Sequence, residues 1–435
     1  MRPLSTLRRR LSIRLGTINT VTSDTDLRQL FGPGTPVDIF IVEDGHAWQL
    51  MALREMFSFG PSDSEIPKNA DFRFSGFRIH APYKRSDVVD ELVAFNGASY
   101  FRSMGRKQSY GLSARGLAIN TASSEPEEFP RFTKFWIEKS SGAISLKVHA
   151  LLDSPSITGS YHFHIQTGTN TIIEVDATVF ARREIDQLGI APLTSMFLFD
   201  SRNHQNFNDY RAAVHDSDGL ALQFADGRRI WRPLLNPSAK QITRVPAEDI
   251  QGFGLIQRKR TVAEFGDLEA TYETRPSAWV EPSVGWNDGD IFLMELPIGA
   301  EWGDNIVAFW QPRKPLKSAQ SMALSYRVHW RDDAPGPIRR VVATHTGFEA
   351  GKHLFVIDYE AKSGGSAPTE AMVTVTAGAA TSPIVQNNVH TNGIRCFFSF
   401  SPADNKTAEL SLALRHDSRS GPDLTSEIWR YRWLA

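Results

Sequence analysis

The sequence is poor in cysteine. Its 435 residues hold one, Cys396, which excludes an internal disulfide framework and any zinc cluster built on cysteine ligands. It is equally short of net charge: 48 Lys and Arg against 49 Asp and Glu leave −1. A dedicated nucleic-acid binder usually carries a basic excess, so nucleic acid is not an expected partner. No apolar run approaches the ~18 residues a spanning helix needs, so no integral membrane segment is expected. Nucleotide fingerprints are missing too. Gly252-Phe253-Gly254 stops short of a dinucleotide loop, and 347–353 has the wrong spacing for a P-loop. The segment 111–116 carries Arg115 where a nucleophile elbow needs its second glycine. The loop opening at Asp216 has Gly227 at the twelfth position, where a calcium-binding EF-hand has Glu. No cofactor and no metal is expected.

What remains is an ordinary globular composition, 41% hydrophobic and 22% charged, with generous aromatics: 27 Phe and 10 Trp. Aromatics fill large β cores and also stack on sugar rings, and composition does not choose between these uses. Alternation of apolar and polar residues with period 2 marks strands at 37–42, 144–150, 160–165 and 171–180. His162 and His164 share one face of such a strand, which suits a cross-strand polar pair better than a metal site. Helical spacing is scarce, with one short helix expected around Ser86 to Phe95. No 20–50-residue repeat is visible, so a propeller or solenoid is not favoured.

A boundary falls near Pro312. The apolar run 305–310 is followed by a proline-punctuated basic segment, 311–318, of linker type. Beyond it, about seven strand-like runs suit an immunoglobulin-like sandwich, with Met322 to Trp330 counted as the first. The expected fold class is all-β: a large sandwich over 1–311, then an immunoglobulin-like domain over 318–435. At the start, residues 1–23 contain no acid and hold Arg2, Arg8, Arg9, Arg10 and Arg14. No apolar core of a secretory signal follows. A solvated basic end, or a chain whose start lies upstream, accounts for this composition.

The middle of the chain is dense in carboxylates, Arg, Tyr and Trp. Tyr110 to Ala118 includes Arg115; Glu127 and Glu128 follow, then Asp153 in Leu151 to Ser156. Leu188 to Phe197, His215-Asp216-Ser217-Asp218-Gly219-Leu220, Trp231-Arg232-Pro233-Leu234 and Arg275 to Val280, with Trp279, complete the series. Aromatic faces cover the C–H faces of sugars, while charged groups bond hydroxyls. Cleaving a glycosidic bond takes two carboxyl groups, one protonated and one ionised. Asp216 and Asp218, two apart, can perturb each other; an Asx-turn is the bland alternative for such a loop. For each Trp the alternative is the core.

These segments, in this order, resemble the periplasmic glucan biosynthesis proteins of the OpgG/OpgD (MdoG) type, from about Val37 to Pro312 and more weakly to the C-terminus. The resemblance implies a large N-terminal β-sandwich, a short linker and a C-terminal immunoglobulin-like domain. It implies a role in making osmoregulated periplasmic glucans, whose backbone is β-1,2-linked glucose, and hence a periplasmic location, although no signal peptide is visible. Some members are inverting endo-β-1,2-glucanases. Their general acid is the first Asp of the His-Asp-Ser segment, here Asp216. The base acts through waters and varies in position, leaving Glu127, Glu128 and Asp153 open. Tyr110, Arg115, His215, Asp218, Trp231, Arg232 and Trp279 are the expected substrate contacts. The other function the resemblance allows is a non-catalytic glucan-binding factor that assists a membrane glucan synthase. The family's signal peptide and longer N-terminal region are missing from the pattern here.

Overall fold

The computed structural model describes residues 12–17, 36–53, 73–85, 88–138, 145–336, 338–361, 368–417 and 419–435. The basic stretch 1–23 lies outside them except for the strand Ser12–Thr17, which pairs antiparallel with Phe74–Arg85. Strands dominate, and the protein is all-β. Helix among the described residues is confined to single turns such as Val262–Phe265. Two compact units form: 1–194 with 280–292 and 309–331, and 195–279 with 293–308 and 332–435.

In the first unit, the period-2 runs become long antiparallel strands. Ser145–Asp153 pairs with Arg131–Glu138 on one side and Ile157–Gln166 on the other; Thr171–Ala181 and Ser321–Arg331 follow in order. Alternate residues of these strands point inward; Ser145–Asp153 and Thr171–Ala181 supply aliphatic ones, while Arg131–Glu138, Ile157–Gln166 and Ser321–Arg331 add aromatic rings. Phe163 meets Phe95 edge-on at 5.1 Å, Phe135 meets Phe77 at 5.0 Å, and Trp330 meets Phe101 at 5.9 Å. Phe77, Phe95 and Phe101 come from a second sheet (Phe74–Arg85, Val88–Asn96, Tyr100–Ser103), so the rings interdigitate between two layers. Offset and edge-on ring contacts add to the large area each ring buries. Ser321–Arg331 pairs along its length with Thr171–Ala181 and belongs to this unit.

One expected element is corrected. Where a short helix was expected around Ser86 to Phe95, the chain runs as the strand Val88–Asn96. Leu92, Val93 and Phe95 are fully buried there, and the strand is paired on both sides. Ladder bonds on two edges outweigh a weak helical spacing, and valine prefers a pleated surface. The histidines behave as cross-strand partners: His164 Nδ1 lies 3.0 Å from Glu174 and His162 Nδ1 3.8 Å from Asp176.

The second unit contains a sandwich of its own. One layer runs Glu370–Val375, Thr407–Arg415, Ile428–Leu434, Arg229–Pro233, Gly219–Phe224, Ile250–Ile256. The contact between Arg229–Pro233 and Ile428–Leu434 is parallel, Trp231 opposite Trp429. The other layer holds Val341–Glu349, Lys352–Tyr359 and Gly393–Ser401. Phe355, Phe398 and Phe400 pack on Trp429, Tyr431 and Trp433 between them, with Cys396 fully buried. Burial pushes the Cys396 thiol up to about 12, so it is an inert core residue. A smaller cluster, Met196, Phe199, Val214, Phe265 and Tyr272, underlies the segment that carries Asp216.

Candidate functional site

The site is built on a short two-stranded ladder of the second unit, Phe197–Phe199 with Val214–His215. His215 is fully buried. Its ring stacks on Phe197 at 5.3 Å and meets Phe265 edge-on at 5.1 Å. Gln257 donates a hydrogen bond to the His215 carbonyl at 2.8 Å. Burial, reinforced by the Lys259 ammonium 3.5 Å from Nε2, holds the imidazole well below its ordinary range. His215 is therefore a neutral, packed ring that fixes the start of the loop.

After His215 the chain stays buried through Leu220. The Asp216 N–H donates to the Met196 carbonyl at 2.8 Å, and the residue is 7% exposed. Its Oδ1 accepts from Arg275 Nη1. Arg275 is itself placed: its guanidinium lies over the Tyr272 ring at 4.2 Å, and Nη2 donates to the Ala270 carbonyl at 3.2 Å. Tyr272 O–H donates to Glu301 at 2.9 Å. The turn that presents both side chains starts at Thr271 with φ 48° and ψ 46°, a left-handed conformation that is strained for a β-branched residue. Ser217, fully buried, shares a hydrogen bond with Ser195 at 2.9 Å.

Asp218 is buried as well, 9% exposed. Its N–H donates to the Ile256 carbonyl and its own carbonyl accepts from Leu234. Among the described residues, its carboxylate accepts from the Arg258 N–H, at 3.3 Å from each oxygen. Burial pushes this carboxyl up to about 6 although Lys259 and Arg258 pull against it. Lys259 also lies 3.7 Å from Asp200. Burial pushes the Asp200 carboxyl up as well, but the Arg202 fork and Lys259 outweigh it and hold the group well below the usual carboxylate range. Two buried aspartates of one neighbourhood are thus set apart by how directly a cation reaches them.

The remaining second-unit residues read from the sequence are interior. Trp231 is 4% and Trp279 3% exposed, and both belong to the main core of this unit. Trp231 lies against Gly219, where an added Cβ would come within 2.2 Å of the ring, and under the Arg258 guanidinium at 3.7 Å. Trp279 fills the space left by Gly252 and Gly254. Arg232, 2% exposed, donates to Glu409 at 2.9 Å.

The other residues read from the sequence belong to the first unit. Arg115 is 2% exposed, sandwiched by the Tyr100 and Phe129 rings, and donates to Glu127 at 3.0 Å; Thr121 donates to the same oxygen at 2.8 Å. The Tyr110 ring sits under Arg102 at 4.6 Å. Glu128 accepts four hydrogen bonds, from the Ser154 hydroxyl, the Ser156 N–H, the Ser156 hydroxyl and Arg183. Burial raises its pKa, but those donors together bring it below the ordinary value. Asp153 is 45% exposed at its side chain and pairs with Arg182 at 2.6 Å.

The sequence reading passed over Arg275, Lys259, Arg258 and Asp200 as site residues. The basic run Arg258-Lys259-Arg260 was the available signal: three adjacent cations after an apolar strand have to find anions. Among the described residues, no group of three or more His, Cys, Asp or Glu is placed to hold a metal ion.

A family model described as periplasmic glucan biosynthesis protein, MdoG, matches residues 27–433. A glucans biosynthesis protein G of Rhodopseudomonas palustris is 42% identical over 404 residues, covering 91% of this chain and 79% of that protein. One from Shewanella sp. strain MR-4 is 40% identical over 439 residues, covering 97% of this chain and 79% of that protein. With a match across nearly its whole length, the chain belongs to the MdoG family of periplasmic glucan biosynthesis proteins.

Proposed function

We propose that the protein is an inverting endo-β-1,2-glucanase that acts in the periplasm on the backbone of osmoregulated glucans, with Asp216 as general acid. The observation that carries this reading is the placing of Asp216. It stands at the end of a packed ladder and accepts a hydrogen bond from the Arg275 guanidinium on the strained 270–275 turn. Asp216 gives its proton to the departing glycosidic oxygen as the C–O bond breaks. Water adds to the anomeric carbon from the opposite face, and a carboxylate base takes the water's proton. In the free protein Arg275 occupies Oδ1, so bound glucan must exchange that contact for the glycosidic oxygen. Of the carboxylates read as bases, Glu128 is wrapped in donors and serves as an anchor, while Asp153 is the most open to water.

The Arg275–Asp216 pair also favours a second reading. An ion pair that ties a turn to a loop needs no chemistry, and a glucan-binding factor assisting a membrane synthase would keep it. Reducing-end release from linear β-1,2-glucan separates the two. Cleavage by the wild type, with α-anomer formed first and a loss of roughly 10²–10⁴-fold in folded Asp216→Asn, is the expected outcome. Near-wild-type activity in that variant sinks the acid assignment. Glucan binding without cleavage by the wild type selects the second reading.

A further inference from the structure

The layer of the second unit that contains Ile428–Leu434 gathers arginines on the face turned away from the core. Along Ile428–Leu434, the residues Trp429, Tyr431 and Trp433 face the core, so period 2 sends Arg430 and Arg432 to the opposite face. Register puts Arg432 opposite Glu409 and Arg430 opposite Ser411. The parallel pairing of Trp231 with Trp429 brings Arg232 to the same face. Strand Gln241–Pro246 contributes Thr243 and Arg244, and together these side chains line a cavity of about 430 Å³.

The cavity is cationic. Its lining holds four arginines, 232, 244, 430 and 432, against one carboxylate, Glu409, an excess of three positive charges. Glu409 is consumed by two of them: Arg232 Nη1 at 2.9 Å and Arg432 Nε at 2.5 Å. Arg232 is 2% exposed, yet its Nε and Nη2 have no hydrogen-bond partner among the described residues; Glu295 stands 4.0 Å from Nη2. Burial pushes the fully buried Glu295 carboxyl up despite Arg232, which weakens it as a counter-charge. The Arg430 guanidinium makes no hydrogen bond among the described residues, and burial pushes its pKa down. The Thr243 hydroxyl, on a residue 6% exposed, is likewise unpartnered among the described residues. Buried donors without acceptors are costly, and planar guanidinium forks match the oxygens of phosphate.

We propose that this cavity is a phosphate-binding site, taking a phosphate group either free or as a monoester, with Arg232, Arg430 and Thr243 donating to its oxygens. The volume leaves room for an esterified group beyond the anion itself.

The test uses the full chain and reads binding, independently of glucan cleavage. Thermal shift and calorimetric titration with inorganic phosphate, and separately with methyl phosphate, are run at constant ionic strength against chloride. Saturable binding of phosphate is expected, with affinity at least tenfold weaker in Arg430→Gln and partly restored in Arg430→Lys. Arg232→Gln should weaken it further; if that variant fails to fold, Arg430→Gln decides. Binding of inorganic phosphate alone identifies the free ion as ligand, and equal or tighter binding of methyl phosphate identifies a monoester. Asp216→Asn should bind phosphate as the wild type does, whatever its glucanase activity. A response equal to that of chloride, or one unchanged in a folded Arg430→Gln variant, overturns the proposal.

Discussion

Glu128 in the first unit and Asp218 in the second are both largely withdrawn from water, and their acidities move in opposite directions. Glu128 is 12% exposed at its side chain and falls below the ordinary carboxylate value; Asp218 is 9% exposed and rises to about 6. In both, burial is the largest influence and pushes upward. The difference is the donor set. Glu128 has four hydrogen-bond donors on its two oxygens, one of them a guanidinium. Asp218 has one backbone N–H at 3.3 Å, and its neighbouring cations spend their hydrogen bonds elsewhere. Depth in the protein sets the cost of a charge, and hydrogen bonds decide whether the charge persists.

The sharpest way to test that contrast is through the cation beside Asp218. Arg258 holds Glu427 with two bonds of 2.8 and 2.6 Å, and Glu427 is 2% exposed. Arg258→Met strands that carboxylate, and a loss of about 3–5 kcal/mol is expected in denaturant unfolding. Asp218, deprived of one opposing cation, should rise further. Stability close to wild type would show that Arg258 is not what compensates Glu427.

A somewhat smaller effect is expected at Asp218 itself. Its folded-state carboxyl takes up a proton at higher pH than in the unfolded chain, 3.8 against about 6. Its contribution to stability is therefore present at acid pH and declines as pH rises through that window. The decline is on the order of 3 kcal/mol by neutrality. Asp218→Asn should flatten the stability–pH curve between about pH 4 and 6. An unaltered slope would assign the proton to another group.

Glu128 should show the reverse dependence with the smallest amplitude. Its folded-state value is lowered, so its contribution is present above the unfolded value of 4.5 and is lost as pH falls through the folded one. Glu128→Gln should cost about 1.5–3 kcal/mol at pH 7, where charge-assisted bonds are lost, and almost nothing under acid conditions. Equal destabilisation at both ends of the pH range would mean that shape, not charge, is what the serines and Arg183 recognise.

Much of the architecture was legible because alternation is a local property. The runs 144–150, 160–165 and 171–180 became strands close to their expected bounds, since a period-2 alternation of apolar and polar residues is written residue by residue. The segment near Ser86 misled because its apolar spacing suits a helix as well as a strand, and only pairing with neighbours on both sides decided it. The same limit applies to the tryptophans. Trp231 and Trp279 are compatible with a sugar platform or a core, and the glycines that receive their rings lie on other parts of the chain.

The sequence by itself determined the all-β class, the exclusion of an internal disulfide framework and the family, through period, composition and ordered motifs. Tertiary structure alone decided which charges meet. Arg275 reaches Asp216 across 59 positions, and Arg258 reaches Glu427 across 169. It also grouped 195–279 with 332–435 in one compact unit. Whether a carboxylate is an anchor, a buried acid or an ion-pair partner depends on donors brought to within about 3 Å of its oxygens, and that proximity comes from packing, not from order along the chain.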